Sequence, residues 1–389
     1  MSVLPRVYIL GNSIFANYMA YEIAQVTAQD SIPNIVLLLN DQKKLSRFLD
    51  NNSRLTRNDN VRGKQLTKDD SIQFMAACSP PTFASGKPAT IENLILADAG
   101  KKNISNLMMK YRGSLNASSN VLLMNPPVGS IGYLFDKIWK DPESERERPN
   151  MLLGMTKWGD STIDFMDKRK LYYPLKNEFS VALPNKCTGK LNLFLGSVPE
   201  TYNIFDMRLE KSNIEKLYKN PFINLIQDTP NVSIQILGCS ELMFLRFENL
   251  IVNSCIEPLA VLFDCKYIHE ITKAAKSEFI IRSLIKEQIK IISLAYPTLL
   301  HLPASPTVFD EDRLYNIVMH HLKTGKRKES VLNIQRKELN QTDIRQLTGY
   351  FVRLAYQCNT DCRWNMTISW LIESKIQLGK FRALDYHYL

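Results

Sequence analysis

Phe247-Glu-Asn-Leu-Ile-Val-Asn-Ser-Cys-Ile-Glu-Pro-Leu-Ala-Val-Leu-Phe-Asp264 decides the reading of this chain. Phe247, Leu250, Ile251, Ser254, Cys255, Pro258, Leu259 and Leu262 recur at spacings of three and four, the period of a helix with one buried stripe. Asn249, Asn253 and Glu257 stand four apart, so they stack in one row. A polar row beside an apolar stripe either lines a cleft or faces solvent.

Working outward, the chain begins with an apolar run, Val7 to Leu10, then Gly11-Asn-Ser-Ile-Phe-Ala16 and a helical period through Ile14, Tyr18, Tyr21 and Ala24. Strand, glycine turn and helix open a nucleotide-binding unit. The glycine fingerprint is degraded to Gly11, Ser13 and Ala16. Ala16 still permits close helix packing, whereas Ser13 puts a side chain where backbone must approach a pyrophosphate. Asn34 to Leu39 reads as a buried second strand. Asp41 after it suits either a ribose hydroxyl or the cap of a helix over Gln42 to Leu49, and the cap is preferred.

Asp50 to Asp70 reads as an exposed loop. Further strands fall at Ile91 to Ala97, Val121 to Met124, Met151 to Gly159, Lys190 to Gly196 and Val232 to Ile236. Helical periods cover Lys102 to Tyr111 and Phe205 to Leu225, and Asp141 to Arg148 reads as a charged linker. Beyond Asp264 the chain is helical. Phe279, Ile280, Leu284, Ile285, Ile289 and Ile292 give Ile271 to Tyr296 a wide apolar face, and Phe309 to Leu322 follows. The expectation is an α/β chain. It has a Rossmann-type domain over 1–205, a connecting segment over 206–240 and an all-helical C-terminal domain over 241–389.

Composition narrows the function classes. The 389 residues are 45% hydrophobic and 23% charged, ordinary for a globular chain with more than one core. Lys and Arg outnumber Asp and Glu by 49 to 39, a net charge of +10 that leans toward a polyanionic partner or an anionic membrane surface. No run of roughly 18 apolar residues suggests a membrane span, and no secretory signal opens the chain. The seven Cys lack metal-ligand spacing, so no metal is expected, and reduced thiols fit a cytosolic or matrix compartment. Lys323, Lys326, Arg327, Lys328, Arg336 and Lys337 crowd one stretch against Glu329. This run is either a phosphate-contacting surface or a solvated loop. Arg363-Trp364, Trp370 and Lys380-Phe381-Arg382 near it either stack on bases or pack in a core.

The opening stretch resembles the interdomain helix of the ketopantoate reductase family, whose pattern is Lys-Leu-x-x-Asn-x-x-x-Asn-Pro-Leu-x-x-Leu. Asn249 stands where that family has its general-acid Lys, Asn253 is kept, and Glu257 replaces a substrate-binding Asn. An amide cannot deliver a proton at neutral pH. Other motifs follow in the family's order. Asn40 takes the place of an Arg for the 2′-phosphate, Asp98 that of a Lys facing the cofactor, and Asn125 is retained before Pro126 in place of Gly. Thr342-Asp343-Ile344 through Leu354 is similar to the family's Thr-Glu-Ile segment, with Asp343 at its second functional carboxylate. The resemblance implies a ketopantoate reductase or 6-phosphogluconate dehydrogenase C-terminal-like helical domain. It also implies that the row on the opening helix faces the Gly11 to Ala16 turn. The dinucleotide positions Gly11, Ser13, Ala16, Asn40, Asp98 and Asn125 are vestigial on this reading, with no cofactor expected.

A narrower resemblance lies in Leu37 to Leu45, Ile91-Glu-Asn-Leu-Ile, Glu257-Pro-Leu and the terminal Ala383 to Leu389. These are similar to the fungal mitochondrial translational activators of cytochrome b mRNA. That resemblance implies a non-enzymatic role on the 5′ leader of the cytochrome b transcript. Its partners would be the mitochondrial ribosome and other translational activators, at the matrix side of the inner membrane and peripheral to it. The alternative is an NAD(P)-dependent 2-dehydropantoate 2-reductase or a related reductase, which needs a proton donor near Asn249, such as His269 or Lys266.

Overall fold

The computed structural model describes residues 6–11, 14–26, 34–39, 41–58, 71–97, 104–158, 179–182, 190–199, 207–324 and 343–385. They form two compact units, divided between Leu242 and Met243.

The first unit contains β1 (Val7–Leu10), α1 (Ile14–Val26), β2 (Ile35–Leu38), α2 (Gln42–Asp50), β3 (Arg54–Asn58), β4 (Ser71–Gln73), β5 (Met75–Ala77) and β6 (Asn93–Leu96). It continues through α3 (Ile104–Tyr111), β7 (Asn120–Met124), α4 (Ser130–Ile138), α5 (Pro142–Arg146), β8 (Asn150–Trp158), β9 (Ser180–Ala182), β10 (Leu191–Ser197), α6 (Met207–Tyr218), α7 (Pro221–Gln227) and β11 (Val232–Ile236). The main sheet has the order β11-β10-β8-β7-β6-β1-β2-β5. Neighbours are parallel except β8 with β10. From β5 to β8 this is the doubly wound order, with β1 and β6 flanking the point where the winding reverses. Val7 to Leu10, Ile35 to Leu38 and Asn93 to Leu96 are buried throughout, as strands covered on both faces must be.

Asparagines clamp the rim where the strands begin. Asn93, Asn120 and Asn150 are the first residues of β6, β7 and β8, and the register sets them side by side. Asn120 donates to Asn93 at 2.9 Å, and its own oxygen accepts from Asn150 at 2.9 Å and Asn220 at 3.0 Å. Asn93 in turn donates to the Arg6 carbonyl at 3.0 Å.

A second, small sheet has the order β4-β3-β9. It corrects the expectation of an exposed loop over Asp50 to Asp70, of which 59–70 lie outside the described residues. Arg54 to Asn58 contains one apolar residue, Leu55, which is fully buried beside Phe48 and Phe179 and anchors the strand. The charged linker at Asp141 to Arg148 holds a helix, α5, with Pro142 at its start and Glu143 and Glu145 in its first turn. Those residues suit a helix N-terminus and hide it behind a charged composition. The single helical period over Phe205 to Leu225 is two helices, because Asn220 caps α7 by accepting from the Phe222 amide at 2.9 Å.

The second unit is helical. It takes the greater part of α8 (Cys239–Leu262), then α9 (Ser277–Ala295), the short α10 (Pro297–Leu300) and α11 (Ser305–Val308), α12 (Glu311–Thr324), α13 (Thr348–Gln357) and α14 (Arg363–Asp385). Helix α8 starts eight residues before the stretch first read as helical, and Pro258 lies inside it. The expected apolar helix over Ile271 to Tyr296 begins later, because Lys276 takes the left-handed conformation at φ 64° just before α9. Phe247 packs on Tyr296 with ring centres 5.0 Å apart and on Phe309 at 6.4 Å, and the Tyr296 hydroxyl meets that of Tyr350 at 3.0 Å.

Helix α14 is pinned twice. Glu287 of α9 accepts from the Trp364 and Asn365 amides, both at 2.9 Å, and from the Asn365 side chain at 2.7 Å. Lys375 donates to the carbonyls of Val261 and Leu262 at 3.0 and 2.8 Å and to Asp264 at 2.6 Å, closing the C-terminus of α8 with a cation.

Candidate functional site

Ligands of doubly wound sheets sit beyond the carboxyl ends of the strands at the switch point. Here that rim carries Gly11 after β1, Ala97 after β6 and Asn125 after β7. Gly11 has φ 124°, a conformation L side chains avoid, and its amide donates to the Leu38 carbonyl at 3.1 Å. Ala16 is buried in α1 at 1% exposure, which agrees with its packing role. Ser13, Asn40 and Asp98 lie outside the described residues.

Asn125 is accounted for by local structure. It sits at φ 48°, a conformation Asn tolerates. Its oxygen accepts from the Thr156 amide at 2.8 Å, and its nitrogen donates to the Thr156 hydroxyl at 2.7 Å. Both ends of the amide thus tie the turn after β7 to β8. Asp41 caps α2, accepting from the Lys44 amide at 2.8 Å, which bears out the preferred reading of that residue.

On α8 the row Asn249, Asn253 and Glu257 is formed as expected. Asn253 donates to the Asn249 oxygen at 3.0 Å. Asn253 and Glu257 are buried at 6% and 8% exposure, so the solvated alternative does not hold for them. Arg246 extends the row one turn earlier. It is 8% exposed, with a contact from its guanidinium to the Met243 sulfur at 3.8 Å. Its position three residues before Asn249 is the signal that sequence reading missed. The row therefore runs from a buried cation through two amides to a buried acid. These groups can bind and orient an anion or a carbonyl, but the amide at Asn249 is no proton donor. Asp343 opens the 3-10 turn Asp343–Gln346 before α13.

Of the basic run, Lys323 is exposed in the last turn of α12; Lys326, Arg327, Lys328, Arg336 and Lys337 lie outside the described residues. The aromatic residues that follow it in sequence are not core. Trp364, Trp370 and Phe381 are 37%, 57% and 62% exposed. The six described cysteines are free thiols. Burial pushes the Cys255 thiol up, and burial with Glu287 beside it raises that of Cys362 to about 12.

The pattern described as Ketopantoate reductase PanE/ApbA C terminal matches residues 241–375. The cytochrome B translational activator CBS2 of Saccharomyces cerevisiae is 35% identical, with 100% of both chains covered. The chain belongs to the cytochrome b translational activator family. A probable 2-dehydropantoate 2-reductase of Schizosaccharomyces pombe is 24% identical to this family member, over 97% of this chain and 98% of that one. In structure, the putative 2-dehydropantoate 2-reductase of Enterococcus faecalis superposes with a TM-score of 0.64 at 15% identity, covering 96% of this chain and 98% of that one. The activator family thus has the ketopantoate reductase fold, a parallel α/β sheet followed by a helical C-terminal domain.

Proposed function

We propose that this chain activates translation of cytochrome b mRNA in the mitochondrion. It acts through the 5′ leader and the mitochondrial ribosome, together with other translational activators, from the matrix side of the inner membrane. The observation that carries the reading is the end-to-end identity to CBS2. The reductase scaffold is catalytically degraded. Asn249 stands where the reductase pattern has its general-acid Lys, and its oxygen accepts from the Asn253 side-chain nitrogen. Asn40 and Asp98 replace cations that would face a phosphorylated dinucleotide. The net charge of +10 and the run from Lys323 to Lys337 suit a phosphate backbone. No described helix is long and apolar enough to cross a membrane, so inner-membrane attachment is peripheral in this proposal.

Deleting the gene in its own host and pulse-labelling mitochondrial translation products tests the reading. Cytochrome b labelling is expected to vanish while the other products persist. Normal cytochrome b labelling in the deletion strain would overturn it. Under the reductase alternative the same deletion leaves cytochrome b labelling intact and creates a requirement for pantothenate.

A further inference from the structure

A cavity of about 540 Å³ opens in the helical unit between the first turns of α9 and the last turns of α12. This is the size range of small-ligand sites, roughly 300–1,000 Å³. Ile281, Met319 and Leu322 give it apolar walls. The Arg282 guanidinium lies over the Tyr315 ring, 3.9 Å from its centre, held by Asp312 at 2.8 Å and Glu278 at 3.3 Å. Phe279 forms the lip. It is 59% exposed although it belongs to the apolar period of α9, and it stands edge-on to Trp364 with centres 5.6 Å apart. Lys276 lines the cavity and is exposed, as are Lys273 and Lys323, which adjoin the lining residues Thr272, Ala274 and Leu322 in sequence.

We propose that this cavity seats one unpaired base of a single-stranded RNA, with preference for bases that carry an exocyclic amine. The proposal rests on the translational-activator reading and names the ligand chemistry. Unstacked bases are held between aromatic rings and guanidinium planes, and Phe279 and the outer face of the Arg282 guanidinium, both lining the cavity, supply one of each. Glu278 lines the cavity with an exposed carboxylate that, beside its bond to Arg282, keeps acceptor capacity for an exocyclic amino group, where uracil presents the carbonyl O4 instead. Lysines at the mouth meet the flanking phosphates, which a base cannot enter without. An apolar protein side chain would leave Lys276 at the mouth unmatched.

The test is fluorescence anisotropy of the full chain with oligo(A), oligo(C) and oligo(U) of equal length at one salt concentration, with heparin as a purely anionic competitor. Oligo(A) and oligo(C) are expected to bind about tenfold tighter than oligo(U), the low end of what hydrogen bonding to a base edge discriminates. Phe279→Ala and, separately, the cavity-filling Met319→Trp bring both down to the oligo(U) level and leave heparin binding and the urea midpoint unchanged. Equal binding of the three oligomers overturns the proposal, as does equal loss of all three and heparin. So does retention of selectivity in both variants. The two readings fail separately. If cytochrome b labelling needs the chain but Met319→Trp supplies it fully, the base seat falls and the activator reading stands. If labelling never needed the chain, the activator reading falls and the oligomer comparison alone judges the seat.

Discussion

Removing Glu287 should detach the start of α14 from α9. The carboxylate accepts three N–H hydrogen bonds, from the Trp364 amide, the Asn365 amide and the Asn365 side chain, at 2.9, 2.9 and 2.7 Å, and a weaker one from the Cys362 thiol at 3.7 Å. Asn365 is fully buried, so Glu287→Ala strands two of those donors away from water. Hydrogen bonds to a charged acceptor contribute about 1.5–3 kcal/mol each. The Trp364 amide, near the surface, recovers water and adds little. The Asn365 side chain also keeps its bond to Gln288 at 2.8 Å, which limits its rearrangement. The expected loss is therefore about 3–4 kcal/mol. Glu287→Gln keeps one acceptor but turns an amino group toward the donors, and should cost about half as much. Urea unfolding measures both, and amide exchange should rise first in the opening turn of α14. A Glu287→Ala midpoint equivalent to less than about 0.5 kcal/mol would refute the argument, because that is the range of an unconnected surface change.

Further expectations follow from other parts of the molecule. Asn120→Ala removes three hydrogen bonds from the strand-start clamp and should cost about 2–3 kcal/mol in urea unfolding, at about 1 kcal/mol each. The chain should not oxidise NADPH with ketopantoate above a blank. Steady turnover abolished by Asn253→Ala would contradict the degraded-site reading. Charge reversal at Lys326, Arg327 and Lys328 together should lower cytochrome b labelling without moving the urea midpoint, and full respiratory growth of the triple Glu variant would reduce the run to a solvated loop. Cys362 ionises near 12 in the folded chain against 9.0 for an ordinary thiol, so the unfolded chain loses that proton first. Stability should be intact below pH 9 and fall as pH rises toward 12, and Cys362→Ala should flatten that fall in alkaline urea titrations.

Much of the fold was legible because buried parallel strands are continuous apolar runs. Val7 to Leu10, Asn93 to Leu96 and Asn120 to Met124 fall where the pattern places them. The second sheet was not legible, since β3 depends on Leu55 alone and its pairing with Val181 and Ile72 is long-range. Phe279 shows the converse limit. Its spacing belongs to the core period of α9, yet period cannot say where a neighbouring element stops covering the helix. At the candidate site, the stacking of Asn249 on Asn253 was readable from spacing, while the significance of an Asn at position 249 was visible only against the reductase pattern, which has Lys there. Arg246 escaped because a lone Arg between apolar residues reads as surface.

The asparagine clamp has a consequence for how such a chain changes over generations. It fastens β1, β6, β7 and β8 where they begin. The turns that would carry chemistry leave from the opposite rim, after Gly11, Ala97 and Met124. Substitutions there leave the asparagine fastening intact, although Asn125 ties its own turn to β8. Strand starts fastened in this way leave the turns of the opposite rim freer to vary than the register of the sheet beneath them.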